Sequence, residues 1–466
     1  MSEAALPDPA AVDRPWLEVY PPGVPHGYDY PEVALTRLLD DAAKDFPEVE
    51  AVHFLGYSLT YRELLDQADR FAAALANLGV GAGDRVALLL PVCPQHVVAL
   101  FAILRLGAVV SEHDPTTAAV ELERQLNDSG ARVVVCYDTV YEKLAGLKGR
   151  LTAVEHIIAT GLRDTAPLGG FGLRLLRRGS EHVRIDQAEG VLRMRELIQR
   201  TGPTVHQPPV EPREHLAALL YSPDRWGASR AITLTHHNLV ANCFQARLWL
   251  PDIQAGRENV LCLVPFWHAY GLTLGVLLGV LSAATMTLQP SLEPGRVLRV
   301  IERRRPTLLA AIPPFYAAVA DQSKARKHDL CSLRICLSGA GELADDVASR
   351  FMDLTGARLR QGYGRTECTS LTHANPIYGR TKPGSIGLPV PDTTAVLLDP
   401  DDPGRLAPPG QPGQLAIAGP QVMSGYWRRQ EETDRVLRDG WFLTGDLATM
   451  DEEGYFAVLE RGKPAA

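Results

Sequence analysis

The strongest constraint on this chain is a regular alternation, over its first 140 or so residues, of short apolar runs with capped, one-faced helical stretches. Thr60 and Glu63 stand at capping-box spacing. Leu64, Ala68, Phe71, Leu75 and Leu78 then recur on one helical face until Gly79 closes it. Residues 85–90 form an apolar run stopped by Pro91. Pro94 opens a second helix that runs to Leu106 and ends at Gly107, and residues 133–136 are apolar again. Strand, helix, strand, helix in this order predicts an α/β fold with a mainly parallel sheet.

The rhythm is not uniform. Residues 1–50 read as an irregular extension followed by one helix. Residues 161–210 break the alternation. Within them, 168–178 mix Gly, Leu and Phe with three arginines, which reads as a surface insertion in preference to an amphipathic patch for a membrane or partner. Residues 203–212 look like a linker, and alternation resumes over 216–367. Beyond 376 the texture changes to short strands (395–398, 414–418, 456–459) between turns such as Asp399-Pro400-Asp401-Asp402-Pro403-Gly404, which suits a small β-barrel or sandwich. At 466 residues the chain is too long for one core, and at about 150 residues per domain it should hold about three.

Composition narrows the function. A net charge of −8 gives no basic face for nucleic acid. The seven cysteines are scattered without CxxC spacing, so they read as reduced thiols of a cytoplasmic enzyme and not as a disulfide or zinc framework. The first 20 residues carry prolines and acids and no apolar core of a signal peptide. The most apolar stretch, 272–286, is shorter than the roughly 20 residues of a membrane span. It is expected to be a buried helix, with no stable membrane insertion.

Four segments concentrate small, aromatic and acidic residues: Pro265-Phe266-Trp267-His268-Ala269-Tyr270-Gly271, Ser338-Gly339-Ala340-Gly341-Glu342-Leu343, Gln361-Gly362-Tyr363-Gly364-Arg365-Thr366-Glu367, and Trp441-Phe442-Leu443-Thr444-Gly445-Asp446. Three lesser ones accompany them: Lys382-Pro383-Gly384-Ser385-Ile386-Gly387, Gly419-Pro420-Gln421-Val422-Met423-Ser424-Gly425-Tyr426 and Glu460-Arg461-Gly462-Lys463. In this order and spacing, over residues 59–463, they resemble the adenylate-forming superfamily of acyl-CoA ligases, luciferases and adenylation domains. One departure among them is Gln414, where the family usually has Glu.

The resemblance implies the fold: two mixed, mainly parallel sheets sandwiched with helices in αβαβα layers, plus a small β-barrel subdomain. It divides the chain into an N-terminal α/β subdomain (1–205), a second α/β subdomain with the nucleotide and acyl site (206–375), a β-barrel subdomain (376–459) and a hinge stub (460–466) with Lys463 at the hinge. In the family a C-terminal domain of about 100 residues follows. It is absent here: either the chain was trimmed at that boundary, the favoured reading, or the natural protein ends there.

The resemblance also implies roles. Thr366 contacts the adenylate phosphate and Glu367 holds Mg²⁺, for which a carboxylate is the expected hard ligand. Gly339, Ala340, Gly341 and Glu342 form the adenine turn, and Tyr363 and Gly364 pack against the nucleotide. The two oxygens of Asp446 suit a ribose diol, with Arg461 beside it. His268 sits at the substrate carboxylate, while Phe266, Trp267 and Gly362 line the acid site. No Asp stands where amino-acid-activating relatives hold an α-amine, which favours a simple carboxylic acid.

The pattern fails at the phosphate loop. Where the family has [ST]SG[ST]TGxPKG, this chain has Ser222-Pro223-Asp224-Arg225-Trp226-Gly227. Such a loop binds pyrophosphate through successive N–H groups. Pro223 removes one of them, Trp226 adds bulk, and Asp224 adds a negative charge worth about 3 kcal/mol of repulsion at ~5 Å and an effective dielectric of ~20. The sequence therefore favours an acyl-CoA ligase specialised for the second half-reaction. It would take a preformed acyl-adenylate from a partner adenylating ligase and pass the acyl group to coenzyme A, releasing AMP, with its own use of ATP impaired. The alternatives are a conventional ATP-dependent ligase with a tolerant loop and an adenylate-binding pseudoenzyme.

Overall fold

A computed structural model describes residues 5–165, 190–222 (Ser222 in its backbone only), 229–323, 325–402 and 404–462. The arginine-bearing stretch 168–178, the phosphate-loop residues Pro223, Asp224, Arg225, Trp226 and Gly227, and Lys463 lie outside the described residues. The chain divides into two compact units, each gathered from distant segments. One comprises Glu32–His236 and Gln254–Ser291, the other Met1–Pro31, His237–Ile253 and Leu292–Ala466.

In the first unit, a sheet runs in the order Arg230–Thr235, Leu216–Ser222, Val109–Glu112, Arg85–Leu89, Val133–Tyr137, His156–Thr160, Val191–Arg193. Every pairing is parallel except that of Arg230–Thr235 with Leu216–Ser222. The apolar runs are the central strands, as their sequence predicts for strands covered on both faces. The helix Tyr61–Asn77 opens with the capping box in place: Thr60 Oγ1 accepts from Glu63 N–H at 3.2 Å and Glu63 Oε2 accepts from Thr60 N–H at 2.8 Å. The helix Pro94–Arg105 is buried along its whole length. In the same unit Glu50–Phe54 pairs with Tyr57–Thr60 and with Thr285–Leu288, which pairs in turn with Asn259–Cys262.

The apolar stretch 272–286 corrects the expectation of one buried helix. A short α turn (Ala269–Gly271) passes into a π-helical turn, Leu272–Leu277, then an α turn, Leu278–Leu281, and by Thr285 the chain is a strand. Thr285, Met286, Thr287 and Leu288 alternate a β-branched residue with a long apolar one, which suits a pleated surface better than a helix.

In the second unit, Leu308–Ala311, Ile335–Ser338 and Arg358–Tyr363 are parallel neighbours, and His373–Ala374 and Leu388–Pro389 extend them antiparallel. The turn-rich region past residue 376 forms an antiparallel half-barrel ordered Thr394–Leu398, Gly413–Ala418, Trp441–Met450, Leu437–Arg438, with Phe456–Glu460 also on Trp441–Met450. The N-terminal extension is not loose. Trp16 is buried with its ring edge-on to Phe456, and the Trp441 indole N–H donates to the Pro7 carbonyl at 2.7 Å.

Candidate active site

The nucleotide motifs meet at the C-terminal ends of two parallel strands of the second unit. Gln361 sits on Arg358–Tyr363, and its Oε1 accepts from Leu343 N–H at 2.8 Å, fixing the turn that leaves Ile335–Ser338. Ala340 in that turn has φ +62°, a left-handed conformation that a small residue tolerates best. A Cβ on Gly341 would come 3.3 Å from Pro313 Cγ. Gly362 is also confined, with Leu371 Cδ1 at 3.2 Å from where a Cβ would sit. The constraint on Gly364 is absolute, since a Cβ there would fall 1.3 Å from the Ser370 carbonyl oxygen. Glu342 is exposed beside these glycines.

Past Gly364 the chain makes the 3₁₀ turn Thr366–Cys368. Glu367 is buried there, its Oε1 accepting from the Tyr426 hydroxyl at 3.1 Å. The 419–426 motif is thus a lid on this turn. Met423 N–H donates to the Glu367 carbonyl at 2.8 Å and Thr369 Oγ1 donates to the Gln421 carbonyl at 2.8 Å.

Asp446, fully buried on Trp441–Met450, is the hub. Its Oδ2 accepts from the Tyr363 hydroxyl at 2.5 Å and faces Arg461 Nη1 at 3.9 Å. Its Oδ1 accepts from Gly462 N–H at 2.9 Å and from Arg365 Nη1 at 3.3 Å. Arg365 also donates to the Thr444 carbonyl at 3.1 Å and lies 4.0 Å from Glu367 Oε2. Burial opposes the charge on Arg365, but Glu367 and Asp446 outweigh it and keep the guanidinium protonated. Burial, and then the Asp446 carboxylate, push the Tyr363 phenol well above its ordinary range, so it remains a donor. The Arg461 guanidinium lies over the Tyr363 ring at 4.7 Å.

Of the residues singled out in the sequence, the structure brings Tyr363, Asp446, Arg461 and, through Arg365, Glu367 together, with Thr366 opening the turn that carries Glu367. Sequence reasoning passed over Arg365, whose variable place in the motif hides that it bridges two acidic groups. Glu367 suits a hard divalent cation: it is a buried carboxylate whose Oε2 lies 4.0 Å from the Arg365 guanidinium, and it would supply an oxygen ligand to the ion.

The acid-site motif belongs to the first unit. Phe266 is fully buried and Trp267 and His268 are partly exposed. His268 Nδ1 accepts from Tyr270 N–H at 3.1 Å, which leaves the proton of a neutral imidazole on Nε2. Burial holds this imidazole below its ordinary pKa, so at neutral pH it is an uncharged donor. Gly271 is required because a Cβ would lie 2.1 Å from the Pro265 carbonyl oxygen.

The two ends of the phosphate-loop segment are both described, and one helix, Ala119–Ser129, holds them. Before the segment, the Tyr221 hydroxyl donates to Asp128 Oδ2 at 2.8 Å. After it, Ser229 Oγ donates to Glu121 and accepts from Arg124 Nη2 and Gln125 Nε2, each at 2.8 Å. The Arg124 guanidinium, foremost, drags the Glu121 carboxyl down to about 2.

The fold is that of the large domain of the adenylate-forming superfamily. Residues 39–427 match the AMP-binding enzyme family. The chain is 36% identical over 452 residues to a long-chain-fatty-acid–CoA ligase of Bacillus subtilis, covering 97% of this chain and 80% of that protein. It is 35% identical to a feruloyl-CoA synthase of Amycolatopsis, covering 90% and 77%. In fold it resembles the crystal structure of an anthranilate CoA ligase in complex with anthranoyl-AMP, with TM-score 0.81 at 24% identity over 94% of this chain and 78% of that one. At this identity and coverage the chain belongs to the AMP-binding enzyme family, among its acyl-CoA ligases.

Proposed function

We propose that this protein joins an apolar carboxylic acid to coenzyme A through an acyl-adenylate, with ATP as the conventional source of the adenylate. The acid carboxylate attacks the α-phosphorus of ATP and pyrophosphate leaves. The thiol of coenzyme A then attacks the acyl carbonyl and AMP leaves. The observation that carries the reading is the buried assembly of Tyr363, Arg365 and Glu367 around Asp446.

In this reading Asp446 exchanges its exposed partner Arg461 for the ribose diol, while Tyr363 and Arg365 keep it oriented. Thr366 meets the phosphate. Glu367 would hold Mg²⁺, which supplies charge neutralisation at the phosphates. His268 Nε2–H donates to the substrate carboxylate and orients it. The named relatives make thioesters of a long-chain fatty acid or of ferulate, and Phe266 and Trp267 suit an apolar acid of either shape. A cytoplasmic setting goes with this chemistry. Among the described residues no helix is long and apolar enough to cross a membrane.

A second reading rests on Ser222-Pro223-Asp224-Arg225-Trp226-Gly227. A ligase with this loop would bind acyl-adenylate and handle triphosphate poorly, receiving its adenylate from a partner ligase. Calorimetric titration with a non-hydrolysable acyl-adenylate analogue and, separately, with Mg-ATP decides between them. Comparable binding of both supports the conventional ligase. Binding of the analogue alone supports the receiver, and binding of neither defeats both.

A further inference from the structure

The first unit holds a buried ionisable pair for which the reaction above has no use. His96, on the helix Pro94–Arg105, places Nε2 2.9 Å from Oε1 of Glu112, the last residue of the strand Val109–Glu112. Both side chains have zero exposure. Among the described residues, His96 Nδ1 and Glu112 Oε2 are buried with no hydrogen-bond partner. A buried carboxylate whose second oxygen accepts nothing is costly, and an apolar pair of similar size would pack there at less expense.

The pair is not remote from the acid motif. The His96 ring meets Phe266 edge to face, with centroids 5.4 Å apart and planes at 90°. On another side of Phe266 runs the π-helical turn, where a Cβ on Gly275 would stand 3.3 Å from Phe266 Cε1. Such turns widen a helix locally and recur at functional sites. Phe266 therefore stands between a polar pair with unused hydrogen-bonding capacity and a helix segment of irregular pitch.

We propose that His96 and Glu112 form a polar subsite that reads a hydroxyl group carried by the substrate acid away from its carboxyl. His96 holds the Glu112 carboxylate through Oε1. Oε2 accepts the hydroxyl proton of the acyl or aroyl group, and Phe266 packs against its carbon frame. The assignment rests on the reading that the Phe266 motif lines the acid site. It adds the substrate class, a hydroxylated carboxylic acid over its plain counterpart. Sites built to bond a hydroxyl reject analogues that lack it, because the buried acceptor is then left empty.

The test uses matched acids with the ligase: cinnamate against para-hydroxycinnamate, and an alkanoate against its ω-hydroxy derivative. Thioester formation is read as kcat/KM. The hydroxylated member of at least one pair is expected to be favoured about ten- to a hundredfold, the range of a hydrogen bond to a charged group. In Glu112→Gln that ratio should shrink toward one. Equal turnover of both members of both pairs, or a ratio that survives Glu112→Gln, overturns the subsite and leaves the ligase reading intact. Thioester from none of these acids, despite binding of the adenylate analogue, overturns both. The wild-type comparison needs no variant, so it stands even if Glu112→Gln fails to fold.

Discussion

The Tyr363 hydroxyl donates to Asp446 Oδ2 across 2.5 Å, joining the nucleotide strand to the half-barrel, with both side chains buried. Tyr363→Phe deletes that donor and keeps the ring. A hydrogen bond to a buried charge is worth about 1.5–3 kcal/mol, so chemical denaturation should report a loss in that range. Binding of an acyl-adenylate analogue should weaken less than in Asp446→Asn, which removes the shared acceptor charge.

Arg365 should prove as important as the residues its motif is known by. Arg365→Met leaves Asp446 and Glu367 buried with their nearest cation gone. Breaking such a pair costs about 3–5 kcal/mol, and the lower end is expected because the guanidinium is partly exposed. Arg365→Lys keeps the charge and loses the planar fork that reaches both Asp446 and the Thr444 carbonyl. It should recover only part of the melting temperature. Full recovery would show that charge alone matters.

Acid should destabilise the fold earlier than carboxylate protonation would. Burial lowers His113 and His236 to about 4 and His373 to about 3, against an ordinary value near 6.5. The unfolded chain then takes up protons from about pH 6.5 downward while the folded chain does not. Stability is complete above that pH and falls by about 1.4 kcal/mol per pH unit for each histidine until about pH 4. Glu121, depressed to about 2, adds its loss only below its ordinary carboxylate range. Urea midpoints at pH 7, 6 and 5 should decline steadily, and His113→Gln should flatten the slope by about a third.

Restoring small residues in the phosphate loop is the direct test of its chemistry. In this protein, Asp224→Gly with Pro223→Ser removes a negative charge and returns a backbone N–H. Under the receiver reading the repulsion reckoned for Asp224, about 3 kcal/mol, corresponds to a gain of roughly a hundredfold in pyrophosphate exchange, whereas the conventional ligase should show little change. An unchanged exchange rate would mean that the natural loop already handles triphosphate.

What was legible in the sequence followed local signals. The capping box at Thr60, the stops at Gly79 and Pro91 and the motif around Tyr363 each announce themselves within a few residues, and the structure has them in place. What was hidden depends on distance along the chain. Nothing near residue 96 says that its imidazole meets Glu112, and nothing in the apolar texture of 272–286 separates a π turn from the strand that follows. Trp441–Met450 was visible as a motif but not as the long central strand of the half-barrel, because its pattern is set by partners on both sides.

Because the helix Ala119–Ser129 grips Tyr221 on one side and Ser229 on the other, the two described ends of the loop segment answer to a single element, and a change in that helix reaches both at once.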